Sequence, residues 1–229
     1  MLLAAGYGSR LRPLTDTLPK CLIPVRGRPL LAYWLHLLFE AGIERTLVNT
    51  HYLAEQVKSF VRASPWSERV DLVHEEQLLG TGGTVLRNRC FFGNGPFIVA
   101  HADNLTRFDV RQFIRCHESR PKDAAITMMT FDTDAPETCG IVVVDRSGVV
   151  QEMHEKVRNP PSSRANAAVY IFGPQVVEFI ASLGKQVVDI STEVLPSYMG
   201  RIYAFHNSGY HRDIGSNESL RKAEAEFVP

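Results

Sequence analysis

The chain has 229 residues, 45% of them hydrophobic and 22% charged, with 25 Lys+Arg against 25 Asp+Glu and therefore no formal net charge. That length fits one α/β domain or two small ones, and the composition is ordinary for a globular protein with a real core. The balanced charge excludes a general nucleic-acid or anionic-membrane binder, which needs a basic surplus, so any cationic site must be local.

Apolar runs and helical patterns alternate along the chain, which predicts βα units and a largely parallel sheet. With only Met1 and Leu2 ahead of Leu3-Ala4-Ala5-Gly6, the first strand is expected to be very short. Pro29 is expected at the first helical position of a helix whose buried face is Leu30, Leu31, Trp34, Leu35, Leu38 and Ala41, with Gly42 ending it. Strand 46–50, helix 54–62, strand 70–74 and helix 83–89 follow. Strand 97–100 runs into His101-Ala102-Asp103-Asn104, a polar cluster of the kind that binds ligands beyond the carboxyl ends of strands. Helix 110–118 and strand 124–130 come next. Segments 140–145 and 149–153 flank Arg146-Ser147-Gly148 as a hairpin. Strand 167–172, helices near 175–183 and 191–199, strands 201–205 and 210–213, and a terminal helix 217–226 capped by Ser216 complete the pattern. No stretch approaches the roughly 20 apolar residues of a membrane span. Cys21, Cys90, Cys116 and Cys139 form no C-x-x-C pair and no leader is visible, so reduced thiols and a cytoplasmic location are expected.

The most informative segment is Leu3-Ala4-Ala5-Gly6-Tyr7-Gly8-Ser9-Arg10-Leu11-Arg12-Pro13, followed by Pro19-Lys20. Glycines at 6 and 8 let a loop turn and bring N–H groups against anionic oxygens. Arg10 can fork onto phosphate and Lys20 can act as a mobile point charge. The loop lacks the Gly-Lys-Ser/Thr of a Walker motif, and Leu11 stands where a dinucleotide fingerprint needs its third glycine, which disfavours a dehydrogenase. Two carboxylates at strand ends, Asp103 and Asp213, suit Mg²⁺ completed by phosphates and waters. The eight histidines show no metal-binding spacing; His101, beside Asp103, is the one closest to the candidate chemistry.

The long string resembles the signature of the sugar nucleotidyltransferases, which join a nucleoside triphosphate to a sugar 1-phosphate and release pyrophosphate. The resemblance runs from end to end, including Asp213-Ile214-Gly215-Ser216-Asn217-Glu218-Ser219-Leu220 near the C-terminus. It implies a Rossmann-like three-layer α/β/α nucleotidyltransferase fold with a mixed, mainly parallel central sheet. It implies one domain over 1–229, with 1–138 mainly nucleotide-binding and 139–229 mainly sugar-phosphate-binding. Leu3, Ala4, Ala5, Gly6, Gly8, Ser9 and Arg10 would meet the nucleotide, Arg10, Lys20, Asp103 and Asp213 would be catalytic, and the two aspartates would hold Mg²⁺. A sugar 1-phosphate is already an anionic nucleophile near neutral pH, its second ionisation lying at about 6, so no side-chain base is required.

Uridylyl- and thymidylyl-type relatives carry Gln five residues before the first glycine of the Gly80-Thr81-Gly82-Gly83 stretch; here that position is Glu75. Guanine offers N1–H and a 2-amino group side by side, and one carboxylate can accept from both, so Glu75 argues for GTP, with Gly80 and Thr81 alongside. The competing reading of Glu75 is a solvated acidic loop with Glu76. In the second half, Glu155-Lys156 resembles Glu-Lys-Pro, with Val157 replacing Pro, and Asn166-Ala167-Ala168 resembles Asn-Ala-Gly. Gly140, Glu155, Lys156 and Asn166 would thus bind the sugar phosphate. His101-Ala102-Asp103-Asn104, Cys139-Gly140-Ile141-Val142, His154-Glu155-Lys156 and Gly209-Tyr210-His211-Arg212-Asp213 look like D-glycero-α-D-manno-heptose 1-phosphate guanylyltransferases, which make GDP-heptose for bacterial capsule or surface polysaccharide. The alternatives are mannose 1-phosphate guanylyltransferase and a catalytically silent GDP-sugar-binding subunit. The expected partners are GTP and a sugar 1-phosphate, with no nucleic acid or membrane, and a homo-oligomer left open.

Overall fold

Short apolar runs become strands and the amphipathic stretches between them become helices over residues 1–228, which the computed structural model describes. In chain order the strands are β1 (Leu2–Leu3), β2 (Pro24–Val25), β3 (Arg28–Pro29), β4 (Thr46–Thr50), β5 (Val70–His74), β6 (Phe97–His101), β7 (Asn104–Thr106), β8 (Ile126–Asp132), β9 (Gly140–Val144), β10 (Val149–Glu155), β11 (Arg164–Phe172), β12 (Ile202–His206) and β13 (His211–Asp213). The helices are α1 (Leu30–Glu40), α2 (Ala54–Ala63), α3 (Gly80–Arg87), α4 (Arg89–Phe92), α5 (Val110–Glu118), α6 (Pro174–Ser182) and α7 (Asn217–Glu226). They group into two units, neither of them a single stretch of chain. One comprises Met1–Leu78, His101–Val110 and the chain from Gly209 onward; the other comprises Leu79–Ala100 and Arg111–Ser208.

In the first unit β5, β4 and β1 pair in parallel, with Thr46 opposite Val70 and Leu2 opposite Val48. β1 is only two residues long, as its sequence implies. All five residues of β4 are buried. α1 buries Leu30, Leu31, Trp34, Leu35 and Leu38, and the Trp34 indole keeps a partner by donating to the Asn104 carbonyl at 2.8 Å. Pro29 lies one residue ahead of α1 rather than inside it. Its extended ψ of 144° serves the β2–β3 ladder, and the first helical N–H, that of Leu30, donates back to Ile23. Gly42 does end the helix, at φ +96°, with N–H groups of Gly42 and Ile43 returning to Phe39 and Leu38, a C-terminal closure that favours glycine. Leu11, Ile23, Val25, Leu30, Leu105, Ile214 and Phe227 form one apolar cluster. That cluster anchors the chain on both sides of the glycine loop's exit and beside Asp213. Ser216 caps α7 as expected, exchanging bonds with Ser219.

The second unit orders its strands β6-β11-β8-β12-β10-β9. Here β8 and β12 are parallel, while β11 and β10 pair antiparallel with their neighbours. The fold is thus α/β with a mixed sheet, and the parallel character expected throughout is strongest in the first unit. The hairpin at Arg146-Ser147-Gly148 is present, its turn held by Asp145 Oδ1 accepting from Ser147 and Val149. α3 starts at Gly80, three residues earlier than its glycine content suggests. Residues 190–198 form a π-turn followed by a 3₁₀ turn instead of a regular helix. Among the described residues no helix is long and apolar enough to cross a membrane.

β11 is longer than its apolar run because it continues through a bulge. Its register against β8 shifts between Asn166 and Tyr170, and Ala168 sits there at φ +53°. An L side chain in that conformation costs roughly 1–2 kcal/mol. Ala168→Gly is therefore expected to raise stability by about 1 kcal/mol after glycine's greater unfolded-state entropy is subtracted. The check is an upward shift of the urea midpoint at unchanged m.

His117, on α5, is 3% exposed, and its Nδ1 lies 2.8 Å from Thr127 Oγ1. Burial, assisted by the Arg120 charge, lowers its pKa to about 4 from an ordinary 6.5. The unfolded chain then binds more protons between those values, so stability is complete above about pH 6.5 and falls as pH drops toward 4. The loss is about 3 kcal/mol at most. Thermal melts across that range should record the decline, and His117→Gln should flatten it.

Candidate active site

The glycine loop leaves β1 with its first N–H tied down: Ala4 N donates to Asn49 Oδ1 at 2.7 Å. The Asn49 amide then points its nitrogen at Glu75, with Nδ2 donating to Oε1 at 3.1 Å. Glu75 is 3% exposed whereas Glu76 is exposed, so Glu75 is not a solvated loop acid. Its backbone N–H continues the β4 edge by donating to Thr50. The ends of β1, β4 and β5 are thereby bonded into one rim.

The two glycines differ in role. Gly8 adopts φ +64°, and a Cβ there would meet Thr15 Cγ2 at 2.9 Å and Lys20 Cβ at 3.2 Å. Its lack of a side chain lets the loop close on the Lys20 stem, while its carbonyl accepts from Thr15 Oγ1 at 2.8 Å. Gly6 has open space around it and no left-handed φ, so the backbone itself makes no demand for glycine there. Leu3 and Ala5 are buried, while Ser9 and Arg10 are exposed and open a 3₁₀ turn.

Lys20 is a buried cation, 8% exposed. Its Nζ lies 2.6 Å from Asp103 Oδ2 and 3.4 Å from Asp213 Oδ1. Burial would lower the ammonium's pKa, but Asp103 and then Asp213 outweigh it, and the net shift is upward. For Asp103 burial pushes the other way; Lys20 and then His101 overcome it and hold the carboxyl below its usual range. His101 therefore does bear on the site electrostatically. Asp103 and Asp213 are neighbours because β7 and β13 pair antiparallel, Asp213 opposite Asn104, and Ile214 N donates to the Asp103 carbonyl at 3.2 Å. Arg10 Nη2 stands 4.0 Å from Asp213 Oδ2, with both groups solvated, so that contact orients more than it stabilises. Gly215 leaves room for both, since a Cβ there would meet Asp213 Oδ2 at 2.6 Å and Arg10 Nη2 at 2.9 Å. His211, behind Asp103, has its pKa lowered by burial to about 3 and stays neutral.

Two carboxylates converging on one positive centre are a donor set that fits a divalent cation. Among the described residues no cluster of three or more His, Cys, Asp or Glu side chains could hold a metal. A Mg²⁺ at Asp103 and Asp213 would thus take most of its shell from phosphate and water, as that ion prefers.

In the second unit, Glu155 is directly opposite Gly140 in the β9–β10 ladder, and a Cβ at Gly140 would meet Glu155 Oε2 at 2.6 Å. Lys156 turns out of β10 at φ +51°, its N–H donating to the Cys139 carbonyl and its Nζ 3.2 Å from Glu155 Oε1. Asn166 sits at the bulge of β11, where Oδ1 accepts from Ala168 N at 2.9 Å and Nδ2 donates to Tyr170 OH at 2.8 Å. Tyr170 is fully buried, and burial raises its pKa. Gly140, Glu155 and Lys156 are thus adjacent, and Asn166 is one residue from Ala165, which pairs with Ile141 of β9.

Gly80 and Thr81 have a packing role that the sequence conceals. Gly80 lies at φ +70°, and a Cβ would come within 2.4 Å of the Val188 carbonyl. Gly82 and Gly83 donate to that carbonyl, Thr81 Oγ1 donates to Asp189 Oδ2 at 3.1 Å, and Ile190 N donates to Thr81 Oγ1 at 2.7 Å. The Thr81 hydroxyl is therefore committed to the 188–190 segment, leaving backbone groups as what Gly80 and Thr81 can offer a ligand. Sequence reasoning missed Asn49, Asp189 and Tyr170. A polar Asn at the end of a strand bordering the glycine loop was the available signal for the first.

The nucleotidyl transferase family matches residues 1–228. This chain belongs to that family. Among curated proteins it is 30% identical over 233 residues to the mannose-1-phosphate guanylyltransferase of Mycobacterium tuberculosis, covering 100% of this chain and 64% of that protein. It is also 30% identical over 221 residues to mannose-1-phosphate guanylyltransferase catalytic subunit beta of Drosophila pseudoobscura pseudoobscura, covering 94% and 58%. The chain thus spans about three-fifths of the length of these relatives. Among solved structures, HddC from Yersinia pseudotuberculosis complexed with GMP-PN superposes with a TM-score of 0.83 at 25% identity, covering 99% of this chain and 98% of that one. A Bacillus anthracis protein solved with sucrose shares the fold at TM-score 0.87 and 23% identity, covering 100% and 95%.

Removing the cation from the carboxylate pair tests the electrostatics of this family member directly. Lys20→Met should leave Asp103 unpaired and cost about 1–3 kcal/mol, a value reduced from that of a fully buried pair because Asp213 is half exposed. Denaturant unfolding measures the loss, and part of it should return on adding Asp103→Asn.

Proposed function

We propose that the chain transfers a guanylyl group from GTP to D-glycero-α-D-manno-heptose 1-phosphate, giving GDP-heptose and pyrophosphate. The observation that carries the reaction class is the buried Lys20 ammonium shared by Asp103 and Asp213 beside the glycine loop. A triphosphate needs cations and backbone donors at that point, and the nucleophile needs no base. The phosphate oxygen of the sugar 1-phosphate attacks the α-phosphorus, and the bond to the β-phosphate oxygen breaks. Arg10 meets the triphosphate's outer charge and Lys20 the charge developing on the α-phosphate. Mg²⁺ held by Asp103 and Asp213 would neutralise phosphate charge. Lys156, with Glu155, Gly140 and Asn166, binds the sugar phosphate. In this reading residues 1–138 mainly serve the nucleotide and 139–229 the sugar phosphate.

The guanine assignment is supported by Glu75, buried and anchored by Asn49, and by the guanylyltransferase names of the two curated relatives. The GMP-PN complex of HddC adds to it. The heptose rests on the likeness of the motifs around Asp103, Gly140, Lys156 and Asp213. Mannose 1-phosphate is the second reading, favoured by the relatives' names. A cytoplasmic enzyme, alone or as a homo-oligomer, that supplies capsule or surface polysaccharide is the setting we propose.

Pyrophosphate release over a grid of nucleoside triphosphates against sugar 1-phosphates, with and without Mg²⁺, tests all three assignments. GTP with the heptose phosphate should give the highest kcat/KM, and turnover should vanish without the metal. Arg10→Ala and Asp103→Ala should each lower kcat/KM at least about 100-fold, the scale of losing one charge-stabilising group, with far-UV spectra unchanged. Preference for UTP, dTTP or CTP would remove the role given to Glu75.

A further inference from the structure

His51, which no motif singled out, stands between the glycine loop and the Glu75 turn. Its Nδ1 is 2.6 Å from the Glu75 carbonyl oxygen, and its Nε2 is 2.8 Å from the Tyr7 hydroxyl. A carbonyl oxygen can only accept, so Nδ1 carries the hydrogen. In the neutral ring Nε2 is then the acceptor, and the Tyr7 hydroxyl donates to it. The ring is also fixed by its faces: it lies edge-on to Tyr7 with centroids 5.3 Å apart, and stacked on His74 at 6.3 Å and 14°. Tyr7 leans against Tyr52 at 5.6 Å, and the Tyr52 hydroxyl donates to the Asp16 carbonyl. Tyr7 itself is 49% exposed, between the two glycines of a loop that makes few other side-chain contacts.

Two bonded routes therefore join the glycine loop to Glu75. One runs from Ala4 N through the Asn49 side chain to the Glu75 carboxylate. The other runs from the Tyr7 hydroxyl through the His51 ring to the Glu75 backbone. The first sets where the carboxylate points, and the second sets how far the loop stands from the turn that carries it. Gly6 and Gly8 make this loop expensive to order, and a ligand that finds it already ordered binds more tightly.

We propose that His51 is a positioning residue for nucleotide recognition: as the Nδ1–H tautomer it clamps Tyr7 of the phosphate loop to the backbone of the Glu75 turn, so that phosphate binding and base reading share one preformed frame. This rests on the nucleotidyl-transfer reading and on the base-reading role given to Glu75, but not on the identity of the sugar.

The test uses Tyr7→Phe, His51→Asn, their combination, and His51→Ala, with the triphosphate that the wild type uses best. Asn can still donate to the Glu75 carbonyl while losing the bond to Tyr7. Loss of one hydrogen bond corresponds to about a fivefold change. Tyr7→Phe and His51→Asn should each raise the KM for nucleotide about fivefold, leave kcat and the KM for sugar phosphate within about twofold, and combine without further loss. His51→Ala should raise the nucleotide KM further and narrow the ratio of kcat/KM between the best and second-best triphosphates. Nitrogen-15 NMR of the histidine ring should report hydrogen at Nδ1, a readout independent of turnover. Hydrogen at Nε2, additive effects of the two single substitutions, or a change in kcat or melting temperature with nucleotide KM unmoved would overturn the proposal. If the wild type turns over no triphosphate, the enzymatic reading fails. The clamp is then judged on the NMR tautomer and on nucleotide dissociation constants from fluorescence titration, with the same two outcomes.

Discussion

One ammonium group organises the functional end of the first unit. Lys20 reaches Asp103 across 83 residues and Asp213 across 193, and those carboxylates would repel each other without it. Three influences meet there: burial weakens the charged forms of Lys20 and Asp103, their mutual attraction strengthens them, and Arg10 and His101 modify the balance from the edge. Attraction prevails, so Lys20 and Asp103 are held charged. A charged and partly buried group of this kind does little for stability compared with an apolar core. Under the proposed function, its value would lie in presenting two hard oxygens and a cation at one point, which is what a polyphosphate with a divalent ion requires.

The rest of the unit can be understood as what keeps that group in place. Gly8 allows the loop to pass over the Lys20 stem, Gly215 leaves space for the Asp213 carboxylate and the Arg10 guanidinium, and the short β7–β13 ladder sets the two aspartates side by side. The apolar cluster of Leu11, Ile23, Val25, Leu105, Ile214 and Phe227 lies beneath these segments and supplies the stiffness that solvated side chains such as Arg10 lack. The Asn49 and His51 links extend the same rigidity to Glu75. In the second unit, Lys156 and Ala168 both hold left-handed backbone, at φ +51° and +53°, in the two segments whose motif likeness is inexact. At Ala168 that conformation would suit glycine better than the alanine present.

Much of the element order was legible because it rests on local periodicity. β4, β5, α5 and α7 have the bounds their patterns imply, and Gly42 and Ser216 act where helix-end chemistry places them. Elements set by tertiary contact were not. β7 is three residues long and exists only because β13 lies against it. Pro29 was drawn into a two-residue ladder with Pro24 instead of opening α1. Gly80-Thr81-Gly82 lies ahead of the expected helix 83–89 but forms the first turn of α3 with Gly83, because the Val188 backbone packs where side chains would otherwise stand.

The sequence by itself determined the family, the α/β class, the residue types of the glycine loop and the carboxylate at position 75, since each depends on short strings whose chemistry is local. Only the tertiary structure decided that Lys20, Asp103 and Asp213 share one contact and that Glu75 is buried on Asn49 while Glu76 is solvated. It also decided that Thr81 serves the 188–190 segment and that His51 bridges Tyr7 to the Glu75 turn. The physical reason is the same in each case. Burial and hydrogen bonding between residues dozens to hundreds of positions apart depend on strand register and side-chain direction, and neither is encoded in any window of the chain.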